Sequence, residues 1–146
     1  MKSRTKARSV ALQVLYEVDL TGHLPGEVLN QRLEDDPLDG NLAEFTSQIV
    51  FGVSPLTKKL DDFIAQHAPE WPLDQVATID RNILRIALWE FAVSGCTPVK
   101  VAINEAIELA KMFGSDSTPR FVNGVLGALA ARQNEIHQAF GAISNN

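Results

Sequence analysis

The chain has 146 residues, 45% of them hydrophobic and 21% charged, which allows a buried core and excludes an intrinsically disordered protein. Its net charge of -5 excludes a uniformly basic nucleic-acid binder, although a local basic patch survives that average. Cys96 is the single cysteine, which excludes an internal disulfide, a CxxC redox pair and a cysteine-rich zinc site and fits a reducing, cytoplasmic compartment.

The start, MKSRTKARSV, is basic but lacks a continuous apolar stretch and a cleavage site, so no signal peptide is read there. From Arg8 onward, Ala11, Val14, Leu15 and Val18 recur at helical spacing, and the helix stops near Thr21 and Gly22. A short helix is predicted over 27–33, followed by an acidic loop, EDDPLDGN. Leu42, Phe45, Ile49 and Val50 mark the next helix, which ends near Gly52. Pro55 opens another, with Leu56, Leu60, Phe63 and Ile64 inside. APEWPLD, 68–74, is a connector. A long helix is predicted over 79–93, a further one from Pro98 to Phe113 with Gly114 as its C-cap, and a last one after Ser117-Thr118-Pro119 toward Phe140. No segment alternates long enough for a strand. The most apolar run, ILRIALWEFAV, is interrupted by Arg85 and Glu90 and is too short for a bilayer, so no membrane association is expected. The expected fold is all-α, a single compact domain of about six or seven helices over residues 1–140 with a polar tail, 141–146.

The stretch FVNGVLGAL, 121–129, contains Asn-Gly, a strong hairpin signal. Phe121, Val122, Val125, Leu126 and Leu129 nevertheless follow a helical period, with Thr118 placed to cap and Pro119 to occupy the first turn. A glycine inside a helix costs about 1 kcal/mol relative to alanine. Close packing against a neighbouring helix is the expected reason for Gly124, and a bond across to backbone or to the Asn104 segment the expected role of Asn123.

No catalytic constellation appears: no phosphate loop, GxGxxG, HExxH or GxSxG. His23, His67 and His137 lie in separate segments without ligand spacing, so no metal or other cofactor is expected. Asp35-Asp36 and Asp61-Asp62 read as solvated charge. What stands out instead is the basic start. Lys2, Arg4, Lys6 and Arg8 occur without an acid before Glu17. Cations at a helix N-terminus oppose the macrodipole, so a local structural purpose is unattractive. Either the segment is a solubilising tail or it meets a polyanion. Arg120 and Phe121 at the start of the last helix form a cation–aromatic pair suited to a phosphate and a stacked base, with an ordinary core phenylalanine as the other reading. Arg85 and Glu105, in otherwise apolar helices, are expected to pair and fix helix register, with Asn104 beside them. Tyr16 flanks the apolar face of the first helix and suits an interface.

Four runs, ARSVALQVLYEVDL, IDRNILRIALWE, PVKVAINEAIELAKMFG and FVNGVLGAL, together resemble the NusB family of bacterial transcription antitermination factors. The runs stand in the family's order and cover most of the chain; the region 23–55 matches less well. The resemblance implies two small helical subdomains packed together and a non-enzymatic role. It implies binding of the boxA element of nascent RNA together with NusE, a small-subunit ribosomal protein. It further implies entry into an RNA polymerase antitermination complex that reads through terminators in ribosomal RNA operons. On this resemblance Lys2, Arg4, Lys6, Arg8, Arg120 and Phe121 are the RNA-binding residues, and Tyr16 and Asp80 face the protein partner. The basic element is milder here than in the family, and Asp80 stands where a glutamate is expected. A homodimer that buries the RNA surface is a further expectation. A protein-binding helical adaptor is the alternative reading. The front domain of an RNA cytosine methyltransferase is disfavoured, because no catalytic domain is expected within 146 residues.

Overall fold

The computed structural model describes residues 2–68 and 75–144, with side chains as far as Gly141. Among them every regular element is helical, as the spacing predicts: α1 (Ser3–Thr21), α2 (Pro25–Asp35), α3 (Gly40–Val53), α4 (Thr57–Ala65), α5 (Thr78–Leu88), α6 (Val99–Phe113), α7 (Thr118–Ala130) and α8 (Gln133–Ser144). A 3-10 turn, Ser54–Leu56, precedes α4, and α5 continues into a π-helical turn, Trp89–Val93. No helix among the described residues is long and apolar enough to cross a membrane. The expected last helix divides at Ala131 and Arg132, so α7 and α8 are two elements, and α8 extends past Phe140 to Ser144. The connector expected over 68–74 lies outside the described residues except for Ala68, as do Asn145 and Asn146. The chain forms two compact units, Met1–Leu56 and Thr57–Asn146.

In the first unit α1 packs on α3 and α2. Between Ala7 and Leu12 α1 is buried on every side, so the apolar spacing understates its burial. Small side chains explain the close approach of α3. Ala7 and Ala11 are fully buried, and the buried Thr46 hydroxyl donates to the carbonyl of Ala7 at 3.1 Å and to its own helix at Leu42. Gly22 ends α1 in the left-handed region at φ 74°, where a glycine carries no Cβ penalty, and its N–H closes on the Val18 carbonyl.

In the second unit α5 is the central element and contacts α4, α6 and α7. Its residues from Asn82 to Leu88 are all buried, which is why the segment reads as nearly continuous apolar sequence. α6 presents Ala102, Ala106 and Ala110, a ridge at i, i+4 and i+8 of small buried residues suited to close helix packing. α7 contributes Val122, Val125, Leu126 and Leu129 to the core. The π-helical turn widens the backbone, and two of its carbonyls are bonded from α8. Gln133 donates to Phe91, and the His137 ring bonds Ala92 at 2.9 Å. The buried Glu90 accepts the Thr97 hydroxyl at 2.7 Å.

Arg85 is buried as expected, and its fork closes on Asp61, with Nε–Oδ1 and Nη2–Oδ2 both 2.7 Å. Helix α4 brings Asp61 against α5; Glu105 is half-buried and Asn104 exposed on α6. One member of an acidic doublet read as solvated charge is therefore the counter-ion of a buried arginine. A pair this well aligned locks α4 to α5, because removing either partner strands a buried charge.

Candidate nucleic-acid interface

The basic start of α1 is helical from Ser3, so Arg4, Lys6 and Arg8 sit in its first turns despite the macrodipole. Neighbouring side chains compensate. Phe45, buried on α3, is overlain by the guanidinium carbons of Arg4 at 4.6 Å and Arg8 at 5.0 Å from its centroid. Lys6 pairs with Asp36 at 2.9 Å. The expectation of no local structural purpose is thus overturned: the cation–π stack and the ion pair tie this turn to its unit. Arg8 is only 3% exposed and serves as packing, while Lys2 and Arg4 are exposed and Lys6 half-exposed. Tyr16, further along α1, is exposed, as are Leu20 and Leu24.

In the second unit the start of α7 forms one wall of a pocket of about 460 Å³, lined by Gln75, Val76, Ala77 and Asp80 from the α5 side and by Ser117, Arg120 and Phe121 from α7. Thr118 holds the two sides together. Its buried hydroxyl accepts the Ser115 N–H at 3.0 Å and donates toward both Asp80 oxygens at 3.2 Å. Thr118 is therefore not the helix cap; Ser117 takes that position, and Thr118 and Pro119 fill the first two helical places. Gly114 makes this arrangement fit. Its φ of -90° is open to any residue, but a Cβ there would lie 2.5 Å from the Thr118 Cβ. Burial pushes the Asp80 carboxyl above its ordinary value, and the Thr118 hydrogen bond partly opposes that rise. Arg120 is exposed and has no ion pair among the described residues, and Phe121 is half-buried. Arg120 and Phe121 thus share one pocket with Asp80, which the family resemblance assigns to the protein partner.

The account of Gly124 is corrected. A Cβ built there meets nothing within 4 Å, and both Asn123 and Gly124 are exposed on α7. Neither close helix packing nor a bond across a helix interface explains them. No group of three or more potential metal ligands occurs among the described residues. His67 instead meets Arg132 at 2.8 Å, and His23 is exposed.

The helices and their order have counterparts in known proteins. The NusB family pattern matches residues 5–131. The chain is 47% identical over 131 residues to the transcription antitermination protein NusB of Chloroflexus aggregans, covering 88% of this chain and 87% of that one. It is 44% identical to the protein of the same name from Bacillus subtilis, over 86% of this chain and 92% of its relative. Among solved structures it is similar to T. maritima NusB, with a TM-score of 0.82, 28% identity, and 89% and 92% of the two chains covered. It is also similar to a chain in a crystal structure of the antitermination factors NusB and NusE with double-stranded RNA, with a TM-score of 0.80 and 26% identity over 95% of this chain and 98% of that one. Agreement of this length in both sequence and fold leaves one assignment: the chain belongs to the NusB family.

Proposed function

We propose that this non-enzymatic protein is a transcription antitermination factor that binds boxA RNA together with the ribosomal protein NusE. In that role it promotes read-through of ribosomal RNA operons within an RNA polymerase antitermination complex. The observation that carries the reading is the likeness, along nearly the whole chain, to a NusB crystallised with NusE and RNA. Two local features support it. Arg120 is an exposed, unpaired cation among the described residues, next to an aromatic ring, which is the chemistry that single-stranded RNA uses for a phosphate and a base. Lys2, Arg4 and Lys6 supply further positive charge at the surface of α1, with Arg4 stacked on Phe45 and Lys6 paired with Asp36. Tyr16, an aromatic left 37% exposed on α1, and Asp80 are the partner-facing residues that the resemblance implies. The relatives named above give no support to a homodimer.

Fluorescence anisotropy of a boxA RNA, with and without NusE over a salt series, tests this. Binding tightens with NusE, favours boxA over a scrambled RNA and weakens with salt. With Lys2, Arg4, Lys6 and Arg120 each on a phosphate, the log–log slope is about -3, at ~0.7 per contact. Absence of RNA binding even with NusE would leave a helical protein-binding adaptor.

A further inference from the structure

We infer that Asp36 is an internal mask for Lys6: its carboxylate holds the ammonium that an RNA phosphate would otherwise take, so RNA must displace it to use that cation. This autoinhibitory contact rests on the RNA-binding reading above and regulates the basic turn of α1 from within its own unit.

Lys6 Nζ lies 2.9 Å from Asp36 Oδ2, the distance of a charge-assisted hydrogen bond. Backbone holds both ends of the pair. Lys6 lies in the first turns of α1, where its N–H closes on the Lys2 carbonyl at 3.0 Å and its own carbonyl accepts the Ser9 hydroxyl at 2.6 Å. Asp36 is the C-cap of α2, with its N–H on the Arg32 carbonyl at 2.9 Å, and Pro37 follows it. A residue before proline is steered away from the helical region, and Asp36 stands at φ -140° and ψ 82°. Proline thus ends α2 at Asp36 and restricts the backbone that carries the carboxylate.

The other basic side chains of this turn are treated differently. Arg4 and Arg8 stack on the Phe45 ring, which orders a guanidinium without cancelling its charge. A carboxylate cancels the charge and takes the same N–H donors that a phosphate oxygen takes. The neighbouring acids have partners of their own. Asp35 accepts the Gln31 amide at 3.2 Å, and Glu17 pairs with Arg32 at 3.4 Å. Asp35, Asp36 and Glu17 line one polar recess between α1 and α2, and of these it is Asp36 that reaches Lys6. The pair is open to water, with 42% of the Lys6 side chain and 60% of the Asp36 side chain exposed, so the mask is weak enough for a polyanion to lift.

The test measures boxA RNA binding in the presence of NusE, by fluorescence anisotropy over a salt series. It compares the full chain with Asp36→Asn, Asp35→Asn, Lys6→Gln and the double variant Lys6→Gln/Asp36→Asn, each checked for folding by melting temperature. Asp35→Asn and Asp36→Asn change the net charge equally, so a general relief of repulsion tightens binding by the same factor in both. Masking predicts that Asp36→Asn exceeds Asp35→Asn by about two- to fivefold. That excess disappears in the Lys6→Gln background, as a direct coupling requires, and shrinks as salt screens the pair. Equal gains from the two asparagine variants, or an excess that survives Lys6→Gln, overturn the mask and leave the RNA-binding reading intact. The same variants are titrated with tripolyphosphate while the Lys6 side chain is followed by NMR. If boxA RNA is not bound even with NusE, the RNA-binding reading fails. Tripolyphosphate binding that tightens in Asp36→Asn beyond Asp35→Asn then keeps the mask for a smaller polyanion, and binding that is absent or unchanged overturns it as well.

Discussion

The cations at the start of α1 and the cation at the start of α7 are handled in opposite ways. On α1, Arg4 and Arg8 stack on Phe45 and Lys6 pairs with Asp36, so charge that looks excessive in sequence is engaged within its own unit. On α7, Arg120 has no ion pair among the described residues and shares its pocket with a half-buried carboxylate that receives one hydroxyl hydrogen. The first arrangement orders long side chains before any ligand arrives, which lowers the entropy lost on binding. The second keeps polar capacity unspent. Density of charge along a sequence therefore does not rank binding sites; what the neighbouring side chains leave unsatisfied does.

Removing the aromatic floor of α1 breaks the contrast most severely. Phe45→Ala deletes a buried ring, and a loss of about 3–5 kcal/mol is expected from the cavity and the lost transfer energy. Phe45→Leu retains most of the burial and removes the cation–π contact, so its cost is smaller, about 1–2 kcal/mol. Urea denaturation measures both. If Phe45→Leu also weakens RNA binding while the pocket amides of α7 keep their shifts, the stack positions Arg4 for its ligand. Unchanged RNA affinity would confine the stack to stability.

The α7 pocket is most directly disturbed from Gly114. Gly114→Ala places a methyl 2.5 to 2.6 Å from three atoms of Thr118, a side chain held by hydrogen bonds on both sides. Relief requires Thr118 or the helix start to move, and the expected cost is about 1–3 kcal/mol. Thermal melts read the stability. Chemical shifts at Asp80 and Phe121 read whether the pocket walls separate. A variant as stable as the parent would show that Thr118 adapts cheaply.

Much of this was legible in the sequence, because period and punctuation are local. The stop of α1 at Gly22, Pro119 in the first turn of α7 and the helical reading of the Asn-Gly stretch all follow from backbone chemistry that neighbours do not override, whereas the start of α2 at Pro25 lies two residues before the expected one. Partner choice is not local. Arg85 required a carboxylate, but which one depends on helix packing, and Asp61 lies 24 residues away. Phe45 read as ordinary core, and nothing in its own segment shows two guanidiniums above it. Gly124 misled for a related reason. A helical glycine has a reason only if something comes close, and nothing comes within 4 Å of its Cβ position. Gly124→Ala is therefore expected to stabilise the protein by about 0.5–1 kcal/mol through helix propensity alone, read as a higher urea midpoint. Destabilisation would restore a packing role.

The smallest expected effect concerns Asp80, and it is read as a difference between two pH values. Burial raises its carboxyl above the ordinary value, with the Thr118 hydrogen bond acting the other way. A carboxyl raised by folding holds its proton more tightly in the folded chain than in the unfolded one. Its stabilising contribution is therefore full below the ordinary carboxylate range and is lost as pH rises through the raised folded value. At neutral pH the ionised group is a net cost to folding. Asp80→Asn removes the charge and keeps an acceptor for Thr118, so the variant melts above the parent at pH 7. That advantage shrinks toward zero at pH 3, where the parent carboxyl is itself neutral. An equal gain at both pH values would trace the stabilisation to packing. A loss at pH 7 would mean that Thr118 needs a full negative charge, and the α7 pocket would then be as thoroughly satisfied internally as the basic turn of α1.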